Sequence, residues 1–163
     1  SLFVAMQNKL LMKVLMVCLG NICRSPLAEG ILKAQLREKE LDWQVDSAGT
    51  GSWHIGESPD LRSIRIARQY GLDITDQRAR QLVAQDLENF DLVVAMDRQN
   101  YRDIMRFAKT EPQRAKVKLM LNFLHPDQNR DVPDPYWDDD GFEAVFKMLE
   151  KACAQLIATY ANG

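Results

Sequence analysis

Two cysteines, an arginine and a serine crowd the stretch "VCLGNICRSP", Val17 to Pro26, at the end of an apolar run. Cys18 and Arg24 bracket five residues: Leu19, Gly20, Asn21, Ile22 and Cys23. Gly20 and Asn21 both tolerate positive φ, so the segment can curl with its N–H groups turned inward. A helix starting at its far end adds oriented donors and a partial positive charge. Arg24 supplies a planar fork that matches two oxygens of a phosphate. In that positive field the Cys18 sulfur is favoured as the nucleophilic thiolate. Such a site would hold a phosphate-sized dianion against sulfur. The reaction would be in-line displacement at phosphorus through a phosphocysteine, with Arg24 and the loop amides stabilising the equatorial oxygens. Taken singly, each residue has a plainer explanation: a small buried thiol, a solvated arginine, a Gly-Asn turn. Together they point to chemistry, although the spacing alone also fits a rhodanese-like sulfurtransferase or another phosphatase class.

The leaving oxygen of a phosphate ester needs a proton, so a general acid is expected elsewhere. The polar, proline-rich segment 125–140, "HPDQNRDVPDPYWDDD", offers carboxylates. Asp134 lies between Pro133 and Pro135, which stiffen the backbone on both sides. Tyr136 and Trp137 follow and could wall a slot for a flat ring. Asp138 to Asp140 are expected to be solvated or to cap a helix.

These residues need a scaffold that brings residues 18 and 134 together. Lys13–Leu19 is a continuous apolar run, as expected for a strand buried on both faces of a parallel sheet. The following "SPLAEGILKAQLRE" reads as a helix with Ser25 as N-cap and Pro26 at its first position. A second strand starts at Val45. A second helix is predicted over Pro59–Tyr70, with Leu61, Ile64, Ile66 and Ala67 inward and Gly71 ending it. Leu92–Met96 is a third strand, after which Asp97 caps a helix reaching about Lys109. "KVKLML" is a fourth strand. A last helix starts near Asp140, with Glu143 in a capping-box-like pair, and carries Cys153 on its apolar stripe. Alternating strands and helices predict a three-layer α/β/α fold with a four-stranded, parallel, doubly wound sheet. Such sheets bind ligands at the carboxyl ends of their strands, near the topological switch point, and Cys18 lies at such an end.

The chain of 163 residues is long enough for one domain with its own core, here 13–163, and is 46% hydrophobic and 27% charged. Residues 1–12 read as an extension or an expression remnant ahead of the first strand. The net charge of −2 gives no electrostatic reason to expect nucleic acid or an anionic membrane as partner. Three cysteines without regular spacing argue against a secreted disulfide scaffold and for a reducing, cytoplasmic setting. Lys9 and Lys13 interrupt the N-terminal apolar stretch, which argues against a signal peptide, and no run is long enough for a membrane span. His54 and His125 are the only histidines and are expected to be exposed loop residues without metal. No cofactor is expected.

The combination of "VCLGNICRSP" and "DPYW", with "DSAGT", "SPD", "ARQL" and "FDLVVAMD" between them in order, resembles the low-molecular-weight protein-tyrosine phosphatases over roughly Lys13–Tyr160. The resemblance implies Cys18 as nucleophile, Arg24 as phosphate binder, and Asp134 as general acid and later base. It implies that Ser25 hydrogen-bonds the cysteine sulfur, that Asn21 holds the loop in a left-handed conformation braced by Ser47, and that Asp97 contacts the arginine. Trp53 falls at an aromatic position on the pocket rim. With Tyr136 and Trp137 it would sandwich a phenyl ring in a cleft deep enough to favour phosphotyrosine over phosphoserine. Related arginine phosphatases carry threonine where this chain has Ile22, which favours phosphotyrosine. The family often has a histidine where Gln77 stands, bracing the loop asparagine. Glutamine also donates and accepts, which leaves an altered brace open. The family uses a second loop cysteine, here Cys23, to trap an oxidised nucleophile as a reversible disulfide. The expected partners are phosphotyrosine-containing proteins and inorganic phosphate or similar oxyanions in the loop, with the chain a monomer or weak dimer.

Other readings are an arsenate reductase or protein-arginine phosphatase on the same fold, a sulfurtransferase, and an idle phosphotyrosine-binding module. Arsenate reduction would need further cysteines downstream, and the chain has none between Cys23 and Cys153. A sulfurtransferase would leave Asp134 without a role. An idle module would not need Cys18, Arg24, Ser25 and Asp134 together.

Overall fold

The computed structural model describes residues 11–161. Of the segment set apart as an extension, only Leu11 and Met12 fall among these. Four strands form the sheet: β1 (Lys13–Cys18), β2 (Gln44–Gly49), β3 (Leu92–Ala95) and β4 (Val117–Leu119). All pairings are parallel, in the order β2-β1-β3-β4. The chain moves from β1 outward to β2 and then returns to the other side of β1 for β3. The switch point therefore lies at the carboxyl ends of β1 and β3, where such sheets open a crevice.

Alternation along β1 divides the interior into two cores. Val14, Met16 and Cys18 face a larger cluster with Leu27, Ile31, Leu32, Phe146 and Leu149. This side is covered by α1 (Arg24–Glu38), α2 (Leu61–Gln69) and α6 (Phe142–Ala161). Leu15 and Val17 face a smaller cluster with Leu87, Val93 and Ile104. The helices on this side are α3 (Asp86–Asn89), α4 (Arg98–Met105) and α5 (Glu111–Ala115). Burial on both faces explains why β1 after the exposed Lys13, and β3, are unbroken apolar runs. Cys153 is fully buried in the larger core, its Sγ directed at the Ala28 carbonyl.

Several local expectations are corrected. Helix α1 starts at Arg24 with Cys23 as N-cap and no side-chain cap bond. Ser25 lies inside the first turn, and its hydroxyl is turned to Cys18 instead of to the helix amides. Leu61 is 67% exposed, because Asp60 caps α2 and the inward face is Ser63, Ile66 and Ala67. Helix α4 ends at Met105, well short of Lys109. Its extension was predicted from a segment that instead makes single turns and then α5, capped by Thr110. Strand β4 has three residues and passes into a 3-10 turn, Met120–Phe123. Helix α6 follows a 3-10 turn at Asp139–Gly141, where Asp138 accepts from the Asp140 N–H. No capping box forms, because the Glu143 carboxylate accepts from the Tyr70 hydroxyl.

Gly49 ends β2 in register with Cys18. A Cβ at this position would lie 2.8 Å from the Leu19 carbonyl oxygen and 3.1 Å from the Asn21 nitrogen. Both are backbone atoms of the loop after β1 and cannot rotate away. Gly49→Ala is expected to lower stability by about 1–3 kcal/mol, read as a shift in the urea midpoint. A midpoint equal to the parent's would show that the loop tolerates displacement.

Candidate active site

The loop from Leu19 to Cys23 is held by its carbonyls. The Cys18 carbonyl accepts from the Thr50 N–H at 3.0 Å, that of Leu19 from Gly51 at 2.8 Å, and that of Ile22 from Asp60 at 2.8 Å. Among the described residues, the N–H groups of Leu19 through Cys23 find no acceptor. They sit at the start of α1, whose first-turn amides add to the same positive end. A curl with its acceptors satisfied outward and its donors unspent has the geometry to cradle an anion.

Asn21 makes the curl possible. It has φ 57°, the left-handed region that asparagine tolerates best after glycine. Its Nδ2 donates to Ser25 Oγ at 2.8 Å and Ser47 Oγ at 2.9 Å, and its Oδ1 accepts from the Arg80 N–H at 3.0 Å. These bonds set directions. Ser47 accepts from Asn21 and so donates its own proton to Glu29 Oε1 at 2.7 Å. The other Glu29 oxygen is held by Lys33 at 2.7 Å. Ser25 likewise accepts from Asn21, so its proton is available to Cys18 Sγ, 3.0 Å away. The sulfur thus receives a hydrogen bond whose direction is set by Asn21.

Arg24 is 2% exposed. Its Nη1 donates to Asp97 Oδ2 at 2.7 Å and to the Val132 carbonyl at 2.9 Å. Nε and Nη2 remain to meet an oxyanion. Burial opposes the guanidinium charge, but Cys18, the hydrogen bond to Asp97 and the charges of Asp97 and Asp134 outweigh it and hold the group above its ordinary pKa. Asp97 also keeps its capping role, accepting from the Asn100 N–H at 2.7 Å. Asp134 Oδ2 lies 3.7 Å from Arg24 Nη2.

A cleft of about 340 Å3 opens over this floor. Cys18, Leu19, Gly20, Ile22, Cys23 and Arg24 line its base and inner walls. Trp53, Tyr136, Trp137 and Asp134 line its sides, and Trp53 and Trp137 stand 69% and 88% exposed at the rim. Tyr136 and Trp137 meet edge-on, their centroids 4.8 Å apart. Asn21, Ser25, Ser47 and Asp97 stand behind the lining and brace it. Cys23 is buried, and burial first, then the charges of Asp60, Cys18 and Asp134, push its thiol up to about 12. It therefore rests as a neutral thiol.

For two side chains the structure answers a question left open and corrects an expectation. Gln77 does not brace Asn21: its Nε2 donates to the Pro26 carbonyl at 3.1 Å. The Asn21 amide is already filled by Ser25, Ser47 and Arg80. His54 is not a free loop residue. It lines the cleft, packs over Gly20 and pairs with Glu57 at 2.6 Å. His125 is half-buried. Glu29 was not singled out in the sequence. Its signal was a carboxylate on the buried face of a helix, flanked by Leu27, Ala28, Ile31 and Leu32. Among the described residues, no three His, Cys, Asp or Glu side chains gather in a way that could hold a metal ion.

Asn21→Ala removes three hydrogen bonds and the donor that orients Ser25. It is expected to cost roughly 1–3 kcal/mol of stability and to weaken vanadate binding, measured by calorimetry. Unchanged vanadate affinity would mean that Asn21 does not shape the cradle.

The likeness to known proteins extends over nearly the whole chain. A family model described as low molecular weight phosphotyrosine protein phosphatase matches residues 13–162. The low molecular weight phosphotyrosine protein phosphatase of Schizosaccharomyces pombe is 42% identical over 141 residues, covering 84% of this chain and 89% of the relative. The solved structure of a protein tyrosine phosphatase from Entamoeba histolytica superposes with a TM-score of 0.87 at 38% identity, covering 93% and 98% of the two chains. That of a Drosophila arginine phosphatase gives 0.85 at 36% identity, covering 91% and 98%. With its anion cradle at the switch point of a four-stranded parallel sheet, the chain belongs to the low molecular weight phosphotyrosine protein phosphatase family.

Proposed function

We propose that the protein hydrolyses phosphotyrosine in protein substrates, and small aryl phosphates, through a phosphocysteine intermediate. The observation that carries this reading is the convergence of the Cys18 sulfur, the Arg24 guanidinium and the Asp134 carboxyl on one cleft walled by aromatic rings. The phosphoryl group sits on the Leu19–Cys23 amides and Arg24. The Cys18 thiolate attacks phosphorus and the ester P–O bond breaks. Asp134 gives its proton to the departing phenolate. In the second step the Asp134 carboxylate takes a proton from water, whose oxygen attacks phosphorus. The P–S bond breaks, the thiolate returns to the hydrogen bond from Ser25, and inorganic phosphate is released. Positioning and charge stabilisation supply the catalysis without a cofactor.

Depth and wall chemistry support phosphotyrosine as the substrate. The nucleophile is 3% exposed, below walls of Tyr136 and Trp137, so a short phosphoserine would reach it poorly. Ile22 presents an apolar surface to the cleft. A phosphoarginine reading is kept open by the solved arginine phosphatase of similar fold, and Ile22 argues against it. The reading treats residues 13–163 as one catalytic domain, monomeric or weakly dimeric, in a reducing cytoplasmic setting that suits three free thiols.

The test is turnover of phosphotyrosine, phosphoserine and phosphoarginine peptides side by side. Phosphotyrosine should be hydrolysed fastest. Cys18→Ser should abolish turnover while keeping phosphate binding. Asp134→Ala should lower kcat/KM on phenyl phosphate by about 100-fold or more, and far less on an ester of an acidic nitrophenol, which departs without a proton. Equal losses on both esters would remove Asp134 from the acid role, and no turnover by the reduced protein would end the enzyme reading.

Peroxide should convert the Cys18 thiolate to a sulfenic acid. The Cys23 thiol then displaces water from it to form a disulfide that dithiothreitol reduces. Cys23→Ser is expected to lose activity irreversibly under peroxide. Full recovery of that variant on reduction would refute a protective role for Cys23.

A further inference from the structure

Proton transfer requires Asp134 to meet a leaving oxygen within a narrow distance. Yet Asp134 lies between the loop from 125 and a single 3-10 turn, Pro135–Trp137, outside the sheet and the long helices. Among the described residues, its own Oδ1 accepts only from the Tyr136 N–H, 3.1 Å away within the same turn. Among the described residues, three ties of the segment flank Asp134 most closely. Val132 is fully buried, donating to the Met96 carbonyl at 2.8 Å and accepting from Arg24.

The other two ties are arginines outside the cleft lining. Upstream, Asp131 accepts three bonds from Arg98: from the backbone N–H at 2.9 Å, Nε at 3.2 Å and Nη2 at 3.1 Å. Arg98 is the first residue of α4, and Asp97, immediately before it, holds Arg24. Adjacent residues at the end of β3 therefore hold the phosphate-binding arginine and the acid segment. Downstream, Arg62 Nη1 donates to the Tyr136 carbonyl at 2.9 Å and to Asp139 Oδ1 at 2.5 Å. Arg62 is itself fixed by three bonds to Asp60, from its backbone N–H at 2.8 Å, Nε at 2.9 Å and Nη2 at 2.8 Å, and lies over the Phe142 ring at 4.6 Å. Asp60 is the N-cap of α2, and its N–H donates to the Ile22 carbonyl of the anion loop. Each arginine thus links the acid segment to an element that also holds the phosphate site.

We propose that Arg98 and Arg62 are positioning residues for proton transfer, fixing Asp134 relative to the anion cradle from opposite ends of its segment. The pairs that reach the acid segment, Arg98–Asp131 and Arg62–Asp139, are open to solvent, and exposed ion pairs contribute little to global stability, so their principal effect is on the placement of the carboxyl group. The proposal rests on Asp134 as the proton donor.

The test compares kcat/KM on phenyl phosphate, whose leaving group needs a proton, and on the ester of an acidic nitrophenol, whose leaving group does not. Arg98→Ala and Arg62→Ala should each lower kcat/KM on phenyl phosphate by about 3- to 30-fold, with little change on the nitrophenyl ester and on inhibition by inorganic phosphate. Arg98→Lys should recover part of the loss. In an Asp134→Ala background neither arginine variant should lower phenyl phosphate turnover further. Should Arg98→Ala fail to fold, Asp131→Asn breaks the same clasp and is expected to give the same selective loss. Equal losses on both esters, or full additivity with Asp134→Ala, would overturn the proposal. If Asp134→Ala itself showed no preference between the esters, the proton-donor reading would fall first. A selective Asp134→Ala with unselective arginine variants would sink the positioning role alone.

Discussion

A guanidinium that is 2% exposed has lost its water, and every polar contact it keeps must come from the chain. Arg24 draws those contacts from three separate segments: Asp97 at the end of β3, the Val132 carbonyl before the acid turn, and Cys18 and Asp134 across the cleft. Removing any of them would leave a buried charge partly uncompensated. The same demand that Arg24 be neutralised therefore holds Cys18, the loop after it and the Asp134 segment together. The positive charge that needs those partners is also what a dianionic ligand would meet, since Nη1 is spent on structure while Nε and Nη2 face the cradle.

A second constraint acts on the loop itself. Its carbonyls are bonded outward to Thr50, Gly51 and Asp60, and Asn21 is locked at φ 57° by bonds to Ser25, Ser47 and Arg80. Because a hydroxyl has one proton, each acceptance from Asn21 decides where that proton goes next. On one side it is passed to Glu29, which Lys33 balances. On the other it is aimed at Cys18. Orientation of the sulfur's hydrogen bond is thus a property of the network, and a single serine in isolation could not guarantee it. The buried Glu29 closes the network where Gln77 does not reach it.

The sheet explains why these pieces meet. β1 runs through the centre of the order β2-β1-β3-β4, so its carboxyl end lies beside that of β3. Cys18 ends the first and Met96–Asp97 follow the second. Gly49 closes β2 directly beneath the loop, at a position where a Cβ would strike backbone. The energetic cost of the site, with its buried charge and left-handed asparagine, is offset by two apolar cores that are continuous on either face of β1.

The alternation of apolar runs with amphipathic stretches was enough to read the parallel α/β architecture, because a strand buried on both faces has no polar positions to spare. Cys18, Arg24, Asn21 and Asp134 were singled out for their residue types in a strand–turn–helix and between two prolines, and folding brings Cys18, Arg24 and Asp134 to one cleft with Asn21 behind it. The ends of the elements were less legible. Ser25 has the sequence signature of an N-cap, but the Cys18 sulfur and the Asn21 amide compete for its hydroxyl and win. Leu61 fitted a helical stripe, but it is the first residue of the helix and stands in solvent, while Ser63, Ile66 and Ala67 form the buried face. The roles of His54 and the clasps of Arg62 and Arg98 were not legible, and Glu29 showed only as a carboxylate on an apolar helix face, since each depends on a partner's position in space, three to 77 residues away. The sequence by itself determined the fold class and the chemical groups of the site, because hydrophobic periodicity and residue chemistry are local properties. Only the tertiary structure decided which donor faces which acceptor, because hydrogen bonds are directional over tenths of an ångström and their partners come from segments that only folding brings together.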